Sequence, residues 1–209
     1  MSLFHSSATQ RLEGTQRIEA FSDGVFSIVV TLLILDVKVP HPETFTFPAL
    51  GVALMPTALQ LLTFAFSFMM LCIFWVNHHH FYHQLTHADW PLLWHNIFLL
   101  FFLCIVPFTT AFLSKYPTEP LVIAIYAINM CLGVLSFRLM IRHAFFHSNL
   151  IPESTPLASR QRSLRRSLFG VMMYAATAAA AFLWVPLAWA GLLIVPVFYF
   201  VPRVSKLEE

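Results

Sequence analysis

Apolar residues run in six stretches, about 18–38, 50–76, 91–113, 120–142, 167–184 and 187–202, separated by short polar segments. Roughly 20 apolar residues are needed to cross the hydrocarbon core as a helix. Hydrocarbon offers no partner to open N–H and C=O groups, so spanning segments of this length are expected to be α-helices. The pattern therefore predicts an all-α membrane protein with six transmembrane helices, forming a single domain over residues 1–209. Pro56, Pro107 and Pro196 fall within or near these stretches and predict kinks. The segment 143–166, with Pro152, Ser154, Pro156, Ser159 and four arginines, is expected to be a mobile loop facing anionic lipid.

Composition agrees: 58% of residues are hydrophobic and 11% charged, with a mean hydropathy of +0.74, against roughly 25% charged in a soluble domain. A formal charge of +2, its cations in short loops, gives no basic face, and no nucleic-acid partner is expected. Cys72, Cys104 and Cys131 lie inside apolar stretches, where thiols act as small hydrophobes. No cleavable signal peptide is expected. If the stretches alternate across a bilayer, Arg11, Arg17, Arg138, Arg142, Arg160, Arg162, Arg165, Arg166, Arg203 and Lys206 share one side, against Lys38 and Lys115 on the other. The positive-inside rule then makes both termini cytoplasmic.

The first stretch departs most from plain hydrophobicity. From Arg17 to Asp36 it holds an arginine, Glu19, Asp23, Asp36 and the hydroxyls of Ser22, Ser27 and Thr31. Charge inside the bilayer is costly and marks candidate function. At 100° per residue, Arg17, Phe21, Gly24, Ile28, Thr31 and Leu35 fall along one stripe. From periodicity alone, ordinary helix packing is the favoured explanation of such a stripe over a functional face. Asp23 lies off the stripe and is expected to point into the helical bundle, with Arg17, Ser22, Asn77, His78, His79 and Asn96 as candidate donors.

The string Arg17-x-x-x-Phe21-Ser22-Asp23-Gly24-Val25-Phe26-Ser27-Ile28-x-x-Thr31-Leu32-Leu33-x-Leu35-Asp36 closely resembles the transmembrane protein 175 family of potassium channels in its single-repeat prokaryotic form. Trp75-x-Asn77-His78-His79, Asn96 and Pro107-Phe108-Thr109-x-Ala111 are also similar to that family. The resemblance implies a homotetramer whose first helices line a central potassium-conducting pore, without an enzyme activity and without a cofactor other than the permeant ion. It matches Ile28 to the hydrophobic constriction, Thr31 to the layer linked to selectivity and Leu35 to an outer hydrophobic ring. Arg17, Phe21, Ser22, Asp23 and Gly24 match the signature holding the first helix to its neighbours. Ser27 stands where many members carry alanine, adding a hydroxyl one turn from Thr31. No Thr-Val-Gly-Tyr-Gly string is present, so no carbonyl filter of that kind is expected. Asp36, near the outer end, is expected to concentrate cations. A proton leak or a weakly selective monovalent cation pore is the channel alternative.

Five histidines between residues 78 and 87, with His95, His143 and His147 beyond, raise a different chemistry. His79, His83 and His87 at four-residue spacing would share one helical face as metal ligands, and a membrane-bound histidine-box metalloenzyme is the alternative from another class. Carboxylate ligands are scarce there, with Asp89 nearby. The plainer expectation is a solvated turn with His78 or His79 hydrogen-bonded at the level of Asp23. The small-residue run 175–181 permits close helix approach, and Trp75, Trp90, Trp94, Trp184 and Trp189 are expected in interfacial belts.

Overall fold

The computed structural model describes residues 14–42, 44–148 and 150–204, with side chains of the last helix described as far as Tyr199. Arg11, Lys206 and the side chain of Arg203, used above for orientation, lie outside the described residues. Among the described residues the regular elements are helices: α1 (Gln16–Leu32), α2 (Phe47–Tyr82), α3 (Trp90–Cys104), α4 (Val106–Lys115), α5 (Pro120–Arg142), α6 (Leu157–Ala181) and α7 (Val185–Val204). A 3-10 turn at Leu33–Asp36 tightens the end of α1, and a π turn at His143–His147 continues α5. With α3 and α4 in line as one span, six helical segments result. Four of them, 16–36, 47–82, 90–115 and 120–147, are long and apolar enough to cross a membrane.

Asp89 starts α3 by accepting a hydrogen bond from the Leu92 N–H at 2.9 Å, with proline in the first turn. The span breaks at Ile105, where Pro107 supplies no N–H to the preceding turn. Asn129 on α5 donates to the Phe102 carbonyl at 3.2 Å and so supports the backbone beside that break. Pro56 and Pro196 interrupt neither α2 nor α7. One missing hydrogen bond does not end a helix whose flanking turns are formed.

Two polar segments are more ordered than expected. The histidine-rich segment is not a solvated turn: α2 continues to Tyr82, with His78, Phe81 and Tyr82 buried. Likewise 143–166 is not a mobile loop. Its first residues form the π turn and its arginines already belong to α6. Arg160 donates to the carbonyls of Thr155 and Phe145 at 3.2 and 3.3 Å, and Arg166 to the Tyr199 carbonyl at 3.0 Å. Backbone carbonyls at helix ends and loops thus hold cations that composition alone assigns to solvent. Thr86 N–H also pairs with the Leu150 carbonyl at 2.8 Å, joining the α2–α3 and α5–α6 connections.

The core gathers around α5, which packs on α3, α4 and α6 and has 56% of its apolar window buried, against 28% for α1 and for α2. Inside it, Tyr126 lies 3.1 Å from the Ser67 hydroxyl, which accepts from Thr110 at 2.8 Å, satisfying three buried hydroxyls of α5, α2 and α4 together. The small-residue run of α6 meets α7 closely, as expected. A Cβ added at Gly191 would stand 2.3 Å from Thr177 Oγ1, whose hydroxyl donates to the Met173 carbonyl at 2.8 Å. Gly191→Ala is therefore expected to destabilise the bundle by about 1–3 kcal/mol, read as a lower melting temperature of the purified protein. Combining it with Thr177→Ala should recover most of the loss; an unchanged melting temperature in the single variant would refute the close approach.

Candidate functional site

The buried meridian of α1 passes through Ile18, Ser22, Phe26, Val29 and Leu33. Ser22, 0% exposed, anchors it. Its hydroxyl donates to the Ile18 carbonyl at 2.7 Å and accepts from Asn96 Nδ2 at 2.9 Å. The Asn96 carbonyl oxygen lies 2.9 Å from His78 Nε2. One unbroken chain of hydrogen bonds thus joins α1, α3 and α2. The His78 ring is enclosed by Phe26 at 5.5 Å and Tyr82 at 4.5 Å between centroids. These two rings escaped the sequence reading, although Tyr82 stands one turn beyond His78 and Phe26 one turn beyond Ser22. Removing an interior member would strand two buried partners, each of which loses a bond that water cannot replace.

Asp23 does not point into the bundle. It is half-buried and accepts a hydrogen bond from Trp75 Nε1 at 2.8 Å, a donor not among those expected. One residue turns a helix by about 100°, so with Ser22 at the centre of the packed face, Asp23 lies at its margin. Trp75 therefore secures α1 to α2 as well as presenting an aromatic surface. His79 stacks on it at 5.7 Å and lies 3.1 Å, Nε2 to Nε2, from His83. Asn77 donates back to the Ile73 carbonyl at 2.8 Å. The three-histidine metal face does not assemble: among the described residues no group of three histidine, cysteine or carboxylate side chains could hold a metal ion. His87 instead pairs with Thr86, and His143 forms an ion pair geometry with Asp89 at 2.8 Å, tying the end of α5 to the start of α3.

The sequence-derived stripe occupies the opposite side of α1. Phe21 is 60% exposed, Ile28 59% and Leu35 69%. Arg17, Gly24, Ser27, Thr31 and Asp36 are exposed too. A Cβ added at Gly24 would meet nothing within 4 Å, so packing inside this chain does not require glycine there. Thr31 Oγ1 donates to the carbonyls of Ser27 and Ile28 at 3.0 and 2.9 Å, and Ser27 Oγ to that of Asp23 at 2.8 Å. Each hydroxyl hydrogen is committed to its own helix, which leaves oxygen lone pairs outward. Such a face can accept a cation and can donate little. Leu35 and Asp36 sit on the 3-10 turn, and the segment after it is held to α2 by Gln60 and Thr57, which bond the Lys38 N–H and carbonyl at 2.8 and 3.1 Å.

The family described as Endosomal/lysosomal potassium channel TMEM175 matches residues 17–107, which carry the Ser22–Asn96–His78 chain and the exposed stripe. A protein of Chamaesiphon minutus named a potassium channel is 31% identical over 192 residues, covering 90% of this chain and 94% of its own. The crystal structure of a lysosomal potassium-selective channel TMEM175 homolog from Chamaesiphon minutus superposes with a TM-score of 0.77 at 29% identity, covering 88% of this chain and 95% of that one. The endosomal/lysosomal proton channel TMEM175 of Gallus gallus is 32% identical over 198 residues, which are 92% of this chain and 38% of that protein. These relatives are ion channels and none is an enzyme. By sequence over nearly its whole length, and by fold, the chain belongs to the TMEM175 family.

Proposed function

We propose that the protein is a potassium-selective channel in which α1 from each of four identical copies lines a central pore. The observation that carries this reading is the exposure of Ile28, Thr31 and Leu35 along α1, opposite a face locked by Ser22. Apolar rings from Ile28 and Leu35 would narrow the path and resist wetting, while a ring of Thr31 hydroxyl oxygens would replace part of a cation's hydration shell. Potassium sheds water at lower cost than sodium, so a partial replacement favours it. Gly24 supports the same arrangement, since its small size serves no contact within the chain. Arg17 and Phe21 would lie at the inner mouth, with Ser27 deepening the hydroxyl layer. Asp36 would hold negative potential at the outer mouth. The cation bias of the loops supports cytoplasmic termini, and the similarity to the Chamaesiphon minutus channel supports a prokaryotic cell membrane.

The naming of a relative as a proton channel favours a second reading, a pore that passes protons or several monovalent cations. Flux into liposomes carrying the purified protein, under matched potassium, sodium and proton gradients, separates the two: potassium entry well above the others supports the first, and equal entry overturns it.

In the same assay Ile28→Asn is expected to raise potassium flux several-fold by wetting the constriction, and Thr31→Ala to lower the potassium-to-sodium ratio. Wild-type behaviour in both would remove the stripe from the conduction path. Asp36→Asn is expected to reduce single-channel conductance at 0.01–0.1 M salt and to leave it unchanged near 1 M, where the Debye length falls from about 10 Å at 0.1 M to about 3 Å. A reduction independent of salt would rule out the electrostatic role.

A further inference from the structure

Away from α1, a cavity of about 610 Å³ opens between α2, α5, α6 and α7. Its size falls within the roughly 300–1,000 Å³ of small-molecule sites. The lining runs from Met70, Val134, Tyr174 and Val195 at the deep end to Gln84, Arg162, Ser163 and Arg166 at the other. From Tyr174 to Arg162 is twelve residues of α6, about 18 Å, close to one leaflet of a hydrocarbon core about 30 Å thick. The deep part is apolar, and among the described residues no carboxylate lines the cavity.

The mouth carries cations one helical turn apart. Arg162 is exposed. Arg166 donates from Nη2 to the Tyr199 carbonyl and lies 5.2 Å from the Tyr199 ring centre, but its Nε is buried without a hydrogen-bond partner. That N–H is sealed from the cavity, but Arg162 and Arg166 both line the mouth and no carboxylate among the described lining residues neutralises them, so a phosphate there would accept charge-assisted bonds from their guanidinium groups. Basic pockets between spanning helices accept anionic lipid headgroups on this principle. The serine hydroxyl of Ser163 lies between the two arginines in sequence and adds a donor to the same wall.

We propose that this cavity binds an anionic phospholipid, its phosphate between Arg162 and Arg166 and an acyl chain against Met70, Phe74, Val134 and Val195. The length, the apolar floor and the two arginines at the mouth together select a phosphate carrying a hydrocarbon tail over a free anion. The site depends on the chain being embedded in a bilayer and not on which ion it conducts.

The test is native mass spectrometry of the full-length protein in detergent, titrated with phosphatidylglycerol and, as the matched control, phosphatidylcholine. Preferential retention of phosphatidylglycerol is expected. Arg162→Glu should reduce that preference by about tenfold, and Ser163→Trp, which fills the cavity without altering charge, should lower retention of both lipids. Circular dichroism of each variant confirms its fold, and potassium flux from the same preparation reports on the channel reading separately. Equal retention of the two lipids by the unmodified protein would overturn the proposal. So would undiminished phosphatidylglycerol binding in both variants, or inorganic phosphate binding as tightly as phosphatidylglycerol.

Discussion

A hydroxyl or amide buried in an apolar bundle must find a partner inside the protein, and for Ser22, Asn96 and His78 the partners are one another. Because the three residues come from three helices, satisfying them sets the rotation of α1 about its own axis and its height against α2 and α3. With Ser22 turned inward, Ile28, Thr31 and Leu35 can only face outward, since they lie on the opposite side of the same helix. The Asp23–Trp75 hydrogen bond at the margin reinforces the same rotation. A polar interaction that contributes modestly to stability therefore decides which residues this chain offers to a neighbour or an ion.

The remaining helices divide the work unevenly. α5 is enclosed by α3, α4 and α6 and forms the interior of the bundle, whereas α1 and α2 leave most of their apolar windows uncovered. Uncovered apolar surface is stable against lipid and equally available to identical copies. The outward hydroxyls distinguish α1 from an ordinary lipid-facing helix, because Thr31 and Ser27 direct their hydrogens to their own backbone and present oxygen alone. At the other side of the chain, Arg160 and Arg166 of α6 are drawn onto backbone carbonyls, Arg166 also onto aromatic rings, and exposed Arg162 gives the apolar cavity a cationic mouth.

Much of this was legible in the sequence. Apolar runs of spanning length locate the helices, and periodicity alone places Ile28, Thr31 and Leu35 together. The family resemblance includes Ser22, Asn96 and His78 among its signature positions, but which of them bond to one another emerges only from the fold. A carboxylate in an apolar helix invites the expectation that Asp23 is buried, yet burial is decided by which residue finds a complete partner set, and that residue is Ser22. The polar composition of the histidine-rich and arginine-rich segments points to a turn and a loop. Tertiary contacts overrode that: His78 is enclosed by Phe26 and Tyr82, and Arg160 and Arg166 cap carbonyls that composition does not reveal. Of Pro56, Pro107 and Pro196, only Pro107 coincides with a break, and its distinguishing feature is Asn129, far away in sequence, bonded to the nearby Phe102 carbonyl.

Whether the outward face of α1 meets water on a shared axis is answered most directly by cysteine accessibility. In a background with Cys72, Cys104 and Cys131 replaced by serine, Thr31→Cys is treated in liposomes with a charged, membrane-impermeant methanethiosulfonate while potassium flux is recorded. Modification accompanied by loss of flux is the predicted result; labelling solely by a lipid-soluble maleimide, with flux unchanged, would contradict it.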